Sequence, residues 1–288
     1  MSVLEDARRF HFVGIGGIGM SGIAELLVNL GYEVSGSDMQ LTEITNRLES
    51  LGARIAEGHD GAHLGNAEVL VYSSAVKPSN PEMAAARERG LPVVPRAELL
   101  AELMQLREGI AVAGAHGKTT TTSMVAIVLD AAGLDPTAVI GGRLSAFGSS
   151  ARLGRGKYLV AEADESDRSF LRLRPRLAVI TNIDHEHMEA YRDFADLQDA
   201  FVKFANGVSP SGVVVICIDD PSLREMRPAI KTRTVTYGFA ADADLSASDV
   251  RLEGFGSVST IRGLGELRLS VPGRHIVLYA LAAVAVGR

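Results

Sequence analysis

The chain has 288 residues, 47% of them hydrophobic and 22% charged, enough apolar material for one large or two ordinary domains and too much for a disordered chain. Thirty glycines against ten prolines, without a repeat, exclude collagen-like and linker-type chains. A formal charge of −6 lacks the basic footprint of a dedicated nucleic-acid binder, so no nucleic-acid partner is expected.

A single cysteine, Cys217, excludes an internal disulfide and a cysteine-based zinc site; within VVVICI it reads as a buried, inert thiol. MSVLEDARRF has no apolar core of a signal peptide, and the longest apolar run, Ile276 to Val286, is too short to cross a bilayer. The expectation is a soluble, cytoplasmic chain with no membrane partner.

The predicted elements begin with a strand over 9–13, followed by GIGGIG from Gly14. Ile23, Leu26, Leu27 and Leu30 then form one stripe of a helix that Gly31 closes. Gly14, Gly16 and Gly19 fit G-x-G-x-x-G between strand and helix, where backbone amides approach a diphosphate. A second strand over 32–35 leads to Asp38, 19 residues beyond Gly19, where a dinucleotide-binding fold places an acid on a ribose. Glycines serving only helix–strand packing are the competing reading.

Helices over 42–51 and 80–89 flank a strand over 67–72, which ends at Ser73 and Ser74. Ligands of open α/β sheets gather at such strand ends, although turn serines would look the same. A short extended piece and a helix over 96–106 complete a first domain, 1–107. A second domain, 108–288, starts with a strand over 110–113 that runs into GAHGKTTTT. The following helix carries Met124, Val125, Val128 and Leu129 on its apolar stripe and ends at Gly133.

Gly114-Ala115-His116-Gly117-Lys118-Thr119 is a phosphate loop: amides cradle phosphate, Lys118 neutralises it and the Thr119 hydroxyl can ligate Mg²⁺. It departs from the usual spacing, since position 112 is Val and the first glycine comes two residues late. Two later strands, over 158–161 and 177–180, lead into ionisable segments. The first, 162–167, holds four carboxylates in six residues: Glu162, Asp164, Glu165 and Asp167. The second, 181–187, ends in Asp184, His185, Glu186 and His187. Both can supply metal ligands beside Mg²⁺·ATP or be solvated loops. His187 is the better ligand candidate and His185 a surface residue, while His11, His59 and His63 have no cluster in sequence and read as structural.

The segments GIGGIGMSGIA, SGSD, YSSAV, GAHGKTTTT, GGRL, VAEADESD, TNID-x-x-H and VPGRH occur in order from Gly14 to His275. Together they resemble the Mur ligase family across nearly the whole chain. The resemblance implies an α/β chain with a Rossmann-like N-terminal domain and a P-loop-type central ATPase domain, both mainly parallel sheets flanked by helices. It implies an ATP- and Mg²⁺-dependent ligase that activates the carboxylate of UDP-N-acetylmuramate as an acyl phosphate, which L-alanine attacks. By resemblance, Gly14, Gly16, Gly17, Gly19, Ser37, Asp38, Ser73 and Ser74 face UDP. Gly114, Ala115, His116, Gly117, Lys118, Thr119, Thr120 and Asn182 hold ATP. Lys118, Glu162 and His187 are the implied catalytic groups, and Thr119, Glu162 and His187 the implied Mg²⁺ ligands.

Departures accompany the resemblance. Ile276 and Tyr279 stand where the family has adenine-contacting asparagines, Glu186 and Glu189 where it has aspartates, and Ala115 where it has threonine. Arg288 follows soon after VPGRH, so a third domain that helps bind L-alanine is expected to be missing and the chain alone not to turn over. IVLYALAAVAV is apolar on every side, which calls for full burial or a covering partner. A NAD-dependent oxidoreductase built on the first loop conflicts with the second loop. A non-catalytic nucleotide-binding module remains the alternative.

Overall fold

The computed structural model describes residues 3–73, 75–144 and 149–288. In chain order the elements are α1 (Val3–Asp6), β1 (Arg9–Val13), α2 (Ile18–Asn29), β2 (Glu33–Asp38), α3 (Glu43–Ser50) and β3 (Arg54–Glu57). They continue with β4 (Val69–Tyr72), α4 (Pro81–Glu88), β5 (Val93–Pro95), α5 (Arg96–Gln105), β6 (Glu108–Ala113) and α6 (Lys118–Ala131). Next come β7 (Thr137–Leu144), β8 (Ser149–Arg152), β9 (Tyr158–Glu162), β10 (Leu177–Ile180), α7 (Phe194–Asn206) and β11 (Val213–Cys217). The chain closes with α8 (Pro221–Met226), β12 (Thr234–Gly238), β13 (Leu245–Glu253), β14 (Gly256–Ile261), β15 (Gly265–Leu269) and α9 (Arg274–Val286).

Two compact units result. One comprises Met1–Arg107 and Thr137–Arg155, the other Glu108–Pro136 and Gly156–Arg288. A single cut at Arg107 therefore leaves out one excursion: the antiparallel β7–β8 hairpin returns to the first unit and packs on α2.

The first unit is built on a sheet of order β3-β2-β1-β4-β5, parallel throughout. Its core is fed by β1 (Phe10 and Phe12) and by the inner side of α2 (Ile23, Leu26 and Leu27), all essentially buried. Leu30, expected on that stripe, is exposed because α2 ends before it. Beta-2 runs three residues past its predicted end, since Ser35 to Asp38 pair with Arg54 to Glu57 of β3, a strand with no clear apolar alternation of its own. Chain order reverses about β1, so the loops after β1 and β4 leave neighbouring strands at one edge, the usual ligand position in open α/β sheets.

In the second unit the order is β15-β14-β13-β12-β11-β10-β6-β9, parallel from β9 to β13 and antiparallel beyond. Beta-6 is central: Ala113 pairs with Ile180 of β10, and Val112 with Glu162 of β9. The phosphate loop, the acidic segment and the 181–187 segment therefore leave three adjacent strands at one edge. Alpha-9 packs against α6 and the sheet strands β11 and β12, and every residue from Ile276 to Val286 is at least half-buried. The all-round apolar helix is thus accounted for within its own unit, and no covering partner is required.

Candidate functional site

In the first unit, the turn after β1 is pinned from behind by β2. The Ser37 carbonyl accepts from Gly14 N–H (2.8 Å) and Ile15 N–H (3.0 Å), and Asp38 Oδ2 accepts from Gly16 N–H at 2.8 Å. A Cβ at position 16 would lie 2.9 Å from that carboxylate oxygen, which is why the turn takes glycine there. Asp38, expected on a ribose, holds the glycine turn itself.

Beside the turn lies a cavity of about 820 Å³, lined by Gly14, Gly16, Gly17 and Asp38 together with Ser73 and Lys77. The structure thus gathers most of the residues expected to face UDP. Two described ones do not line it. Gly19 lies in the first turn of α2, where a Cβ would meet the Arg96 guanidinium 2.8 Å away. Ser37 is fully buried, its hydroxyl donating to Glu82 at 2.6 Å. Ser74 lies outside the described residues.

Behind the cavity, Glu82 is completely buried at the start of α4. Its Oε2 accepts from Ser37 and meets His11 Nε2 at 3.3 Å; its Oε1 meets His63 Nδ1 at 3.2 Å, His59 Nδ1 at 3.6 Å and Asp60 N–H at 3.3 Å. Burial pushes this carboxyl up, but donors from His11, Ser37 and His63 outweigh it and hold it down at about 2. The three histidines, scattered in sequence, converge on one carboxylate. No spacing rule reveals this, because they arrive from β1 and from the loop after β3.

In the second unit, the loop from Gly114 to Gly117 is clamped by the end of β10. Asn182 Oδ1 accepts from His116 N–H (2.8 Å), and Asn182 Nδ2 and Thr181 Oγ1 donate to His116 O (2.9 and 2.7 Å). Ala115 N–H donates to Asn182 O at 3.2 Å. Asn182, expected on ATP, spends its amide on the loop backbone. The His116 ring reaches Asp184 (3.3 Å) and Glu186 (3.8 Å) on the adjoining segment.

Lys118 opens α6 and folds back: Nζ donates to Gly114 O (2.7 Å), to Ala115 O (3.4 Å) and to Glu165 Oε1 (2.7 Å). Glu165 is 2% exposed, and its Oε2 is buried without a hydrogen-bond partner. Burial raises its carboxyl above the ordinary range, with the Lys118 ammonium pulling against that rise. Of the carboxylates of 162–167, Glu165 meets the loop lysine; Glu162 was expected as a catalytic group and Mg²⁺ ligand. Glu162 is the last residue of β9, half-buried beside Val112.

A brace holds the Glu165 turn. The Tyr191 hydroxyl donates to Glu165 O at 2.5 Å, and Arg168 lies 4.8 Å from the Tyr191 ring centre. Arg168 also donates to Asp196 at 2.7 Å, an ion pair that depresses the Asp196 carboxyl. His187 is half-exposed and 3.9 Å from Glu189, and His185, exposed as expected, stacks on Phe194 with ring centres 3.9 Å apart.

Among the described residues, no group of three or more His, Cys, Asp or Glu side chains is arranged to hold a metal ion. Mg²⁺ takes only one or two protein carboxylates and fills its sphere with water and phosphate. The buried, unpaired Oε2 of Glu165 and the exposed Thr119 at the head of α6 suit that demand.

Alpha-9 also reaches the loop. The Tyr279 ring lies directly against Gly117, in the space a Cβ would fill, and Gly117 has φ +79°. His275 meets the other side of Tyr279 edge-on, with ring centres 5.8 Å apart.

A glycine turn at a parallel-sheet switch point, and a lysine-bearing phosphate loop on the central one of three parallel strands, define a two-unit α/β protein with the layout of nucleotide-binding folds. Residues 9–108 match the Mur ligase family, catalytic domain, and residues 112–287 the Mur ligase middle domain. The chain belongs to the Mur ligase family. It is 56% identical over 283 residues to the UDP-N-acetylmuramate--L-alanine ligase of Geotalea daltonii, covering 97% of this chain and 62% of that protein. The chain therefore spans less than two thirds of the length of such relatives. Its fold matches the UDP-N-acetylmuramate-alanine ligase of Thermotoga maritima at a TM-score of 0.86 and 32% identity, over 96% of this chain and 64% of that one. It also matches the UDP-N-acetylmuramate:L-alanyl-gamma-D-glutamyl-meso-diaminopimelate ligase of Neisseria meningitides at a TM-score of 0.88 and 31% identity, over 97% of this chain and 93% of that one.

Proposed function

We propose that this chain supplies the UDP-substrate unit, Met1–Arg107 with Thr137–Arg155, and the ATP unit, Glu108–Pro136 with Gly156–Arg288, of an ATP-dependent ligase joining L-alanine to UDP-N-acetylmuramate, a cytoplasmic step of peptidoglycan synthesis. The observation that carries this reading is the phosphate loop with Lys118 poised on Glu165 at 2.7 Å. The relatives' names supply the substrates.

In this reaction a carboxylate oxygen of the muramyl group attacks the γ-phosphorus of ATP, the bridging P–O bond breaks and ADP leaves. The amino group of L-alanine then attacks the acyl carbon and gives up one N–H proton to solvent, the acyl C–O bond breaks and inorganic phosphate departs. Charge neutralisation and positioning dominate such chemistry. Lys118 would release Gly114 O and turn to the β/γ-phosphates, while the loop amides take the phosphate oxygens. Thr119 and Glu165 would hold Mg²⁺, which when bound offsets phosphate charge. The cavity of the first unit would hold the uridine diphosphate, its phosphates toward the glycine turn and Lys77.

A second reading, a nucleotide-binding module without turnover, has Tyr279 against Gly117 in its favour. Titrating UDP-N-acetylmuramate by calorimetry tests the shared premise: micromolar binding supports it, and no heat at several temperatures overturns it. Alanine-dependent phosphate release, measured with the remaining region of a relative supplied in trans, separates the two readings.

A further inference from the structure

We propose that His59 is a ligand-contacting residue of the first unit, held by Glu82 and Ser37 in the tautomer that turns an acceptor, Nε2, toward a hydrogen-bond donor on the nucleotide. The inference rests on the reading of that cavity as the UDP site and adds the polarity of one contact within it.

The argument is one of proton accounting. Glu82 is an anion at neutral pH, so both its oxygens only accept. Ser37 has one hydroxyl hydrogen, and at 2.6 Å it goes to Glu82 Oε2. The remaining contact of the Ser37 oxygen, His59 Nδ1 at 3.0 Å, must then be a donation from the ring. Glu82 Oε1, 3.6 Å from the same Nδ1, favours the same placement. With the proton on Nδ1, a neutral imidazole carries a lone pair on Nε2. Nδ1 faces the buried carboxylate while the ring lines the cavity and stays one-fifth exposed, so the ring edge opposite Nδ1 is the one available to a ligand. The tautomer is set from two directions, as ligating histidines are set by partners on their other nitrogen.

A lone pair in that place repels phosphate oxygens and suits an N–H or O–H donor. Uridine nucleotides offer two kinds, the imide N–H of the base and the ribose hydroxyls. Lys77 and the glycine turn remain for the diphosphate. His11 and His63, bound to the other sides of Glu82, complete its solvation and need no ligand contact.

The test is nitrogen NMR of the whole chain labelled with ¹⁵N, His59 being assigned by loss of its signals in His59→Gln. Expected without ligand are a pyrrole-like Nδ1 and a pyridine-like Nε2. Adding UDP should shift Nε2 as it accepts a hydrogen bond, and His59→Phe should weaken UDP binding about 3- to 10-fold. Loss of the Nε2 shift with 3-methyl-UDP places the imide there. Loss with 2′- or 3′-deoxy-UDP places a hydroxyl. A shift that survives all three analogues overturns the donor assignment. A proton on Nε2, or movement of the Gly14–Gly17 amides by UDP with Nε2 unmoved, overturns the inference while sparing the UDP reading. UDP that moves neither removes both. Ser37→Ala and Glu82→Gln should shift the tautomer balance toward Nε2–H, and Glu82→Asp should restore it in part. Ser37→Ala is the milder variant if Glu82→Gln does not fold.

Discussion

Tyr279 lies with its ring against the backbone of Gly117, so the last helix of the second unit forms one wall of the phosphate loop. Gly117 is bound to glycine twice over, by its left-handed φ of +79° and by that ring. Gly117→Ala should lower stability by ~1–3 kcal/mol and abolish ATP binding. Combining it with Tyr279→Ala should recover the steric part and leave the conformational part. Thermal unfolding and MgATP calorimetry on the single and double variants check this.

Lys118 and Glu165 form a largely buried pair, 18% and 3% exposed at their side chains. Lys118→Met should cost ~2–4 kcal/mol because Glu165 then lacks its counter-charge, and ATP affinity should fall at least tenfold. Lys118→Met combined with Glu165→Gln should recover most of the stability and none of the ATP binding. Denaturant unfolding and calorimetry distinguish the two outcomes.

Acid should act through Glu82. Its folded-state value of about 2 lies below the ordinary 4.5, so the ionised form is favoured by folding. This stabilisation, ~3 kcal/mol, is fully present above pH ~4.5 and is lost as pH falls toward 2. Unfolding free energy followed between pH 6 and 2 should show that slope, and Glu82→Gln should flatten it while lowering stability at pH 7.

Glu165 titrates in the opposite sense. Its carboxyl is raised, chiefly by burial, so its contribution to stability is present below the ordinary carboxylate range and lost as pH rises through its folded-state value. Glu165→Gln should therefore remove a loss of stability on that rising limb. Equilibrium unfolding of wild type and variant, with the pH series extended upward from the carboxylate range through neutral into mild alkali, measures it.

Arg168 anchors the Glu165 turn through Asp196 and the Tyr191 ring. Arg168→Ala should weaken MgATP binding three- to tenfold at the cost of ~1–2 kcal/mol in stability, with Arg168→Lys intermediate because lysine lacks the planar fork. An unchanged MgATP affinity in Arg168→Ala would detach the brace from the site.

Sequence periodicity placed α2, α4 and α6, and the glycine turn and phosphate loop fall at the strand–helix junctions where they were expected. Such features are local: a strand, a tight turn and a capped helix are written within about twenty residues. Glu165 was not separable from Glu162, Asp164 and Asp167, because which carboxylate faces inward depends on a turn braced by Tyr191, some 26 residues on. His11, His59 and His63 looked isolated for the same reason. Their meeting point, Glu82, is 71 residues from His11 along the chain and adjacent only once β1 and α4 are in place. The β7–β8 excursion carried no sign of its destination, since a hairpin has no marker for the surface it packs on.

That excursion has an effect on how the protein is made. The first unit is not finished when residue 107 leaves the ribosome; it waits for Thr137–Arg155, which arrive after the phosphate loop and α6 have been synthesised. Alpha-2 emerges with the surface that will later take the hairpin uncovered, and a gene fragment stopped at Arg107 would leave that surface uncovered permanently. A well-behaved version of this unit would need the hairpin grafted back through a short linker across the missing stretch.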